Sequence, residues 1–170
     1  MGEAKRRGKL RERVLEKTPF CIYFGVTTPA TQVDHMPPRT MFDLRDRSEG
    51  LEFGACSECN QGSRHFELAA SMLSRIYPDP TTEQGKEEVA KLFKTVKNRW
   101  PELLVEMQPD GRQLARFEAA RSKLPGTAHV LSAKGPLLNN ALRHFSAKLG
   151  IALHCDRTGK VLPEAGVIAG

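Results

Sequence analysis

The chain has 170 residues, 39% of them hydrophobic and 27% charged, with a net charge of +6. That length suits one domain, or one small and one smaller, and is enough to bury a core. No apolar run is long enough for a membrane span, which excludes an integral helical membrane protein.

The charge is unevenly spread. Residues 1–17 carry seven Lys or Arg against three Glu, residues 18–80 are net −3, and residues 81–170 are net +5. Basic ends around an acidic middle suggest contact with a polyanion such as DNA, the alternative being that they merely solvate helices. The basic start lacks a signal peptide's apolar stretch, and Arg6 stands where myristoylation wants Ser or Thr, so a cytoplasmic protein is expected. Four cysteines in such a chain argue for metal or redox chemistry over a disulfide framework.

In chain order, residues 3–17 read as a short basic helix or arm whose apolar side is Leu10, Val14 and Leu15. Residues 18–62 are turn-rich, with "CIYFG" (21–25) and "TQVDHM" (31–36) as strand-like pieces; Pro37 and Pro38 end the second. Ser63 to Tyr77 is helical, with Phe66, Ala69, Leu73 and Ile76 on one side, Ser63 as cap and Pro78 as stop. "PDPTTEQGK" is the linker. A second helix carries Val89, Leu92, Phe93, Val96 and Trp100. "QPDG" turns the chain into a weaker helix from Arg112 to Lys123. A clearer helix spans Leu137 to Leu149, with Leu138, Ala141, Leu142 and Phe145 inward and Gly150 as C-cap. "IALHC", "DRTG" and "KVL" read as a terminal β-hairpin, in which His154 and Cys155 are structural. The expectation is an α+β chain in three parts: the basic segment 1–17, a small finger at 18–78 and a helical region at 82–170. The Val89–Trp100 stripe should pack on the 137–149 helix.

Zinc is held by four Cys or His ligands, commonly from two knuckles each with paired ligands. Cys56 and Cys59 form one knuckle; of the other only Cys21 is present, because Phe24 stands where its partner would be. Three sulfurs should therefore converge, with Phe24 beside them as apolar filler. Between the knuckles, Asp34 and His35 pair a hard oxygen ligand with a group titrating in the range of a general base.

"CIYFG", "VDHMPP" and "CSECNQG" followed by a helix resemble the HNH endonucleases, over residues 20 to about 77. The resemblance implies a ββα-metal finger with structural zinc at Cys21, Cys56 and Cys59. It also implies catalytic magnesium (or manganese) held by Asp34 and Asn60, with His35 activating water to hydrolyse DNA phosphodiesters. His65, one helical turn beyond Asn60, is a further candidate metal ligand. The family's middle asparagine, which orients the histidine, falls near Gly50 and Leu51 and is absent, so any activity should be weak. Adjacent strand residues point to opposite faces, so Asp34 and His35 converge only if the strand bends. The alternative is a non-catalytic zinc-finger module binding nucleic acid or protein. A thiol-redox role for Cys56 and Cys59 ranks last, since no thioredoxin-like βαβ pattern surrounds them.

Overall fold

The computed structural model describes residues 3–47, 49–76, 82–124 and 130–162. It is α+β, with seven α-helices and a two-stranded antiparallel sheet among the described residues. The basic segment is helix α1 (Glu3–Lys17), whose Val14 is buried. α1 packs on the sheet formed by β1 (Gln32–His35) and β2 (Glu52–Ala55). Pairing runs from Gln32 opposite Ala55 to His35 opposite Glu52. Gly54 is required where α1 meets β2: a Cβ there would lie 2.1 Å from the Thr18 carbonyl oxygen, and the Gly54 N–H donates to Thr18 Oγ1 at 2.7 Å.

After β2 come α2 (Ser57–Gly62) and α3 (Arg64–Ile76). α3 is the central helix. Its Ala70 joins Ile22, Met36 and Phe53 of the finger in one core cluster, while Ala69 and Met72 join Val96, Leu103 and Met107 in another. Next stand α4 (Glu83–Arg99), α5 (Pro101–Glu106) and α6 (Gly111–Ala120). Pro101 opens α5 at the first-turn position where its missing N–H costs nothing. Asp110, from the "QPDG" turn, closes a capping box with Gln113 on α6. The linker expected at 78–86 falls partly outside the described residues, and α4 already begins within it.

The last helix, α7 (Pro136–Thr158), corrects two expectations. Gly150 does not end it, and the hairpin expected from "IALHC" and "DRTG" is helix; of "KVL", no strand forms, and residues 163–170 lie outside the described ones. The cause is tertiary. Leu138, Ala141, Phe145, Lys148, Ala152 and Cys155 form one continuous buried stripe, which carries the helix past the glycine. An interior glycine costs about 1 kcal/mol against alanine, less than undocking Ala152 and Cys155 from Ile22, Met36 and Phe53 would. Gly159, at φ +69°, is the actual cap. α4 and α7 each pack on α3, and the two stripes expected to meet share one core cluster, in which Val96 lies with Leu138 and Ala141. The finger and α7 therefore share a core.

A half-buried cap fixes α7 at its start. The Glu106 carboxylate accepts the backbone N–H groups of Leu137 and Leu138, both at 2.8 Å. Gly135 leaves room for it, since a Cβ there would fall 1.9 Å from Glu106 Cδ. No helix among the described residues is long and apolar enough to cross a membrane.

A three-thiol centre and a lysine-held aspartate

"CIYFG" is a turn, not a strand. The Phe24 N–H donates to the Cys21 carbonyl at 3.3 Å, and Gly25 takes φ +80°, a conformation open to glycine. On the other side, Cys56 is the N-cap of α2, and its sulfur accepts the Cys59 N–H at 3.4 Å. The strands bring these two turns together. The sulfurs of Cys21, Cys56 and Cys59 all lie within 4.8 Å of one another. Three sulfurs bound about 2.3 Å from one tetrahedral zinc would be roughly 3.8 Å apart, so a small contraction seats the ion. Cys21 is fully buried and Cys59 is the most open of the three.

Their chemistry fits a soft cation. Burial pushes the Cys56 thiol up, but N–H donors from Cys59 and Glu58 and the Cys21 thiol outweigh it and leave its pKa below the ordinary value. Burial and the neighbouring sulfurs push Cys59 far above its own. Three thiols this close do not all ionise unaided, whereas a bound zinc takes all three as thiolates. Phe24 is not the expected filler: it is 54% exposed, and Tyr23 and Ala55 pack the cluster instead.

The Asp34–His35 pair does not converge. β1 stays regularly paired through His35, so the two side chains leave on opposite faces. Asp34 is buried. Its Oδ2 accepts the Tyr23 hydroxyl at 2.7 Å and lies 2.8 Å from Lys148 Nζ, while its Oδ1 accepts the His35 backbone N–H at 2.9 Å. The Tyr23 hydroxyl is correspondingly pushed well above its ordinary pKa, first by burial and then by the Asp34 charge.

His35 is half-buried, and its Nε2 is shut off from solvent without a hydrogen-bond partner. Burial lowers its pKa, and the charges of Arg39 and Arg47 lower it further, so the imidazole is neutral at pH 7. Arg47 is itself tied down, 2.5 Å from Glu52 and donating to the Leu51 carbonyl at 3.0 Å. Arg39 is exposed.

Asn60 donates to Gln32 Oε1 at 2.7 Å, fastening α2 to the far end of β1 from His35. His65 is exposed and lies among aromatic rings, 3.8 Å from Phe66 and 5.4 Å from Trp100 between centroids. Among the described residues, the three cysteines are the one group of His, Cys, Asp or Glu arranged to share a metal. The magnesium expected at Asp34 and Asn60 does not fit the site as folded: both Asp34 oxygens are engaged, and an ammonium already supplies the positive charge. Neither Asp34 nor His65 joins the thiol cluster.

Sequence reasoning missed Lys148 and Tyr23, which hold Asp34, and the part played by Glu67 and Ser63, which hold Lys148. One signal was available. Lys148 falls three residues after Phe145 and four before Ala152, on the apolar stripe of α7, where an unpaired charge is costly.

Comparison of the chain with protein-family models, with curated proteins and with solved structures finds no match, so its reading rests on its own residues.

Proposed function

We propose that the chain is an HNH-type endonuclease acting on DNA, built on a strand–strand–helix finger that zinc pins through Cys21, Cys56 and Cys59. The observation that carries this reading is His35: a neutral imidazole at the end of β1, with Nε2 unpartnered. Nε2 is closed to solvent as folded, so it can take a proton from water attacking phosphorus only once substrate binding opens the His35 side chain. Arg39 offers a phosphate contact beside it, and the basic ends of the chain supply contacts that position DNA without reading sequence. Zinc is structural here, joining the Cys21 turn to the start of α2. No step is assigned to magnesium at Asp34, because Lys148 holds that carboxylate.

The test is nicking of supercoiled plasmid by the zinc-loaded protein with magnesium or manganese, against a chelator control. His35→Ala is expected to lower the rate by roughly 10²–10⁴-fold, the usual contribution of a general base, with zinc content unchanged. Equal nicking by wild type and variant would assign the activity elsewhere.

A second reading, a non-catalytic zinc-finger module binding nucleic acid or protein, is favoured by one observation: the Asp34 carboxylate is engaged inside the fold by Lys148 and Tyr23. Zinc binding with no nicking by the wild type would select it.

A further inference from the structure

Lys148 ends in a cage of oxygens. Its Nζ lies 2.8 Å from Asp34 Oδ2, 2.5 Å from Glu67 Oε1 and 2.7 Å from Ser63 Oγ. It also sits 4.8 Å from the centroid of the Tyr23 ring. The lysine side chain is 8% exposed, that of Asp34 4% and that of Glu67 13%. Two carboxylates pointing at one buried position repel each other unless a cation stands between them. Oxygen donors of this kind, two carboxylates and a hydroxyl, are those a hard divalent ion takes. The fold supplies an ammonium instead, carried by a helix whose Phe145, Ala152 and Cys155 are built into the finger's core.

We propose that Lys148 is a tethered cation in a divalent-ion cage formed by Asp34, Glu67 and Ser63, and that the docked α7 excludes magnesium and manganese from it. The ammonium donates to Glu67 Oε1 and Ser63 Oγ and forms an ion pair with Asp34 Oδ2, so it is engaged on all three and not free for a substrate phosphate. A divalent ion could enter only by displacing Lys148, because a second cation beside the ammonium is repelled at short range. The misfit of magnesium at Asp34 thereby has a specific cause, a single side chain from the other end of the molecule. This inference stands whether or not the finger cleaves DNA.

It is tested with manganese alone as the probe, on the zinc-loaded full chain. Binding is followed by loss of the free-ion electron paramagnetic resonance signal and by the thermal midpoint. Lys148→Met keeps the aliphatic packing of the stem and removes the charge. The wild type should show no manganese binding that depends on Asp34. The Lys148→Met protein should bind manganese at least about tenfold more tightly, with a rising midpoint. Adding Asp34→Asn to it should abolish the gain. Should Lys148→Met be unfolded without added ion, manganese should restore its circular dichroism. Asp34-dependent binding by the wild type as tight as by the variant would overturn the proposal. So would a variant that gains no Asp34-dependent binding, or one that stays unfolded at millimolar manganese.

Discussion

Replacing Phe24 by cysteine tests the thiol centre where it is one ligand short. Phe24 follows Cys21 at the spacing by which Cys59 follows Cys56, and its turn already has the backbone bond to Cys21 and the positive φ at Gly25. The phenyl ring is 54% exposed. Removing it uncovers less than half of roughly 150–250 Å², at most about 3 kcal/mol at 25 cal/mol/Å². Against this, a fourth thiolate completes a tetrahedral shell in a class of site where zinc contributes roughly 10–16 kcal/mol. A tenth of that, about 1.4 kcal/mol, is already tenfold in affinity. Phe24→Cys is therefore expected to bind zinc more than about tenfold more tightly, as read by competition with a chromophoric chelator at neutral pH. In urea unfolding it should be more stable than wild type with zinc, and less stable by up to about 3 kcal/mol when the metal is chelated. That reversal of sign is the discriminating result. Unchanged zinc affinity, or a variant weaker under both conditions, would refute the knuckle geometry.

Because burial and the two arginines lower the His35 pKa, the folded protein resists protonating it more than the unfolded chain does. Its contribution to stability is full above the unfolded value of about 6.5 and is lost as pH falls from there through the lower folded value. Zinc release also responds to acid, so urea midpoints at pH 7.5 and 5 should be compared between wild type and His35→Gln; parallel losses would sink this reading of the site. At the start of α7, Glu106→Ala removes the acceptor of two backbone donors and is expected to cost about 1–2 kcal/mol. Gly135→Ala should cost a similar amount by driving the carboxylate off the cap, yet add little in the Glu106→Ala background, where the clash is gone. Additive losses in urea unfolding would show that the two residues act separately.

The helices were legible where their own sequence decides them. α3 follows the spacing of Phe66, Ala69, Leu73 and Ile76, and α6 starts where Asp110 meets Gln113. The thiol centre was legible too, because the Cys56–Cys59 spacing and one upstream cysteine limit the metal ligands to a single set. β2 was not. Glu52–Ala55 is four residues long with a glycine inside, too short for alternation to stand out. It forms because β1 pairs with it and because Gly54 lets the end of α1 lie against it. The end of α7 was misread for a related reason. Gly150 is a local stop, and only the distant core that receives Ala152 and Cys155 overrides it.

Asp34 marks the limit most clearly. Next to His35 it reads as half of a catalytic pair, since residue types show which ligands are available but not what they face. The fold turns Asp34 inward, to Tyr23 from the thiol turn and to Lys148 from α7. Half of this was inferable: a lysine on a buried stripe either extends its ammonium to water or needs an acid. Arg47 and Arg75 show the same need met elsewhere, by Glu52 and by Asp43 with Glu88. Which acid answers Lys148 depends on the register in which α7 crosses α3, and that register is set by Phe145 and Ala152 seating in the finger core. The packing that carries α7 past Gly150 is therefore the same packing that delivers the ammonium to Asp34. Any change that shifts α7 along α3 by one turn, about 5.4 Å, would withdraw the lysine and leave Asp34 and Glu67 as an uncompensated acidic pair.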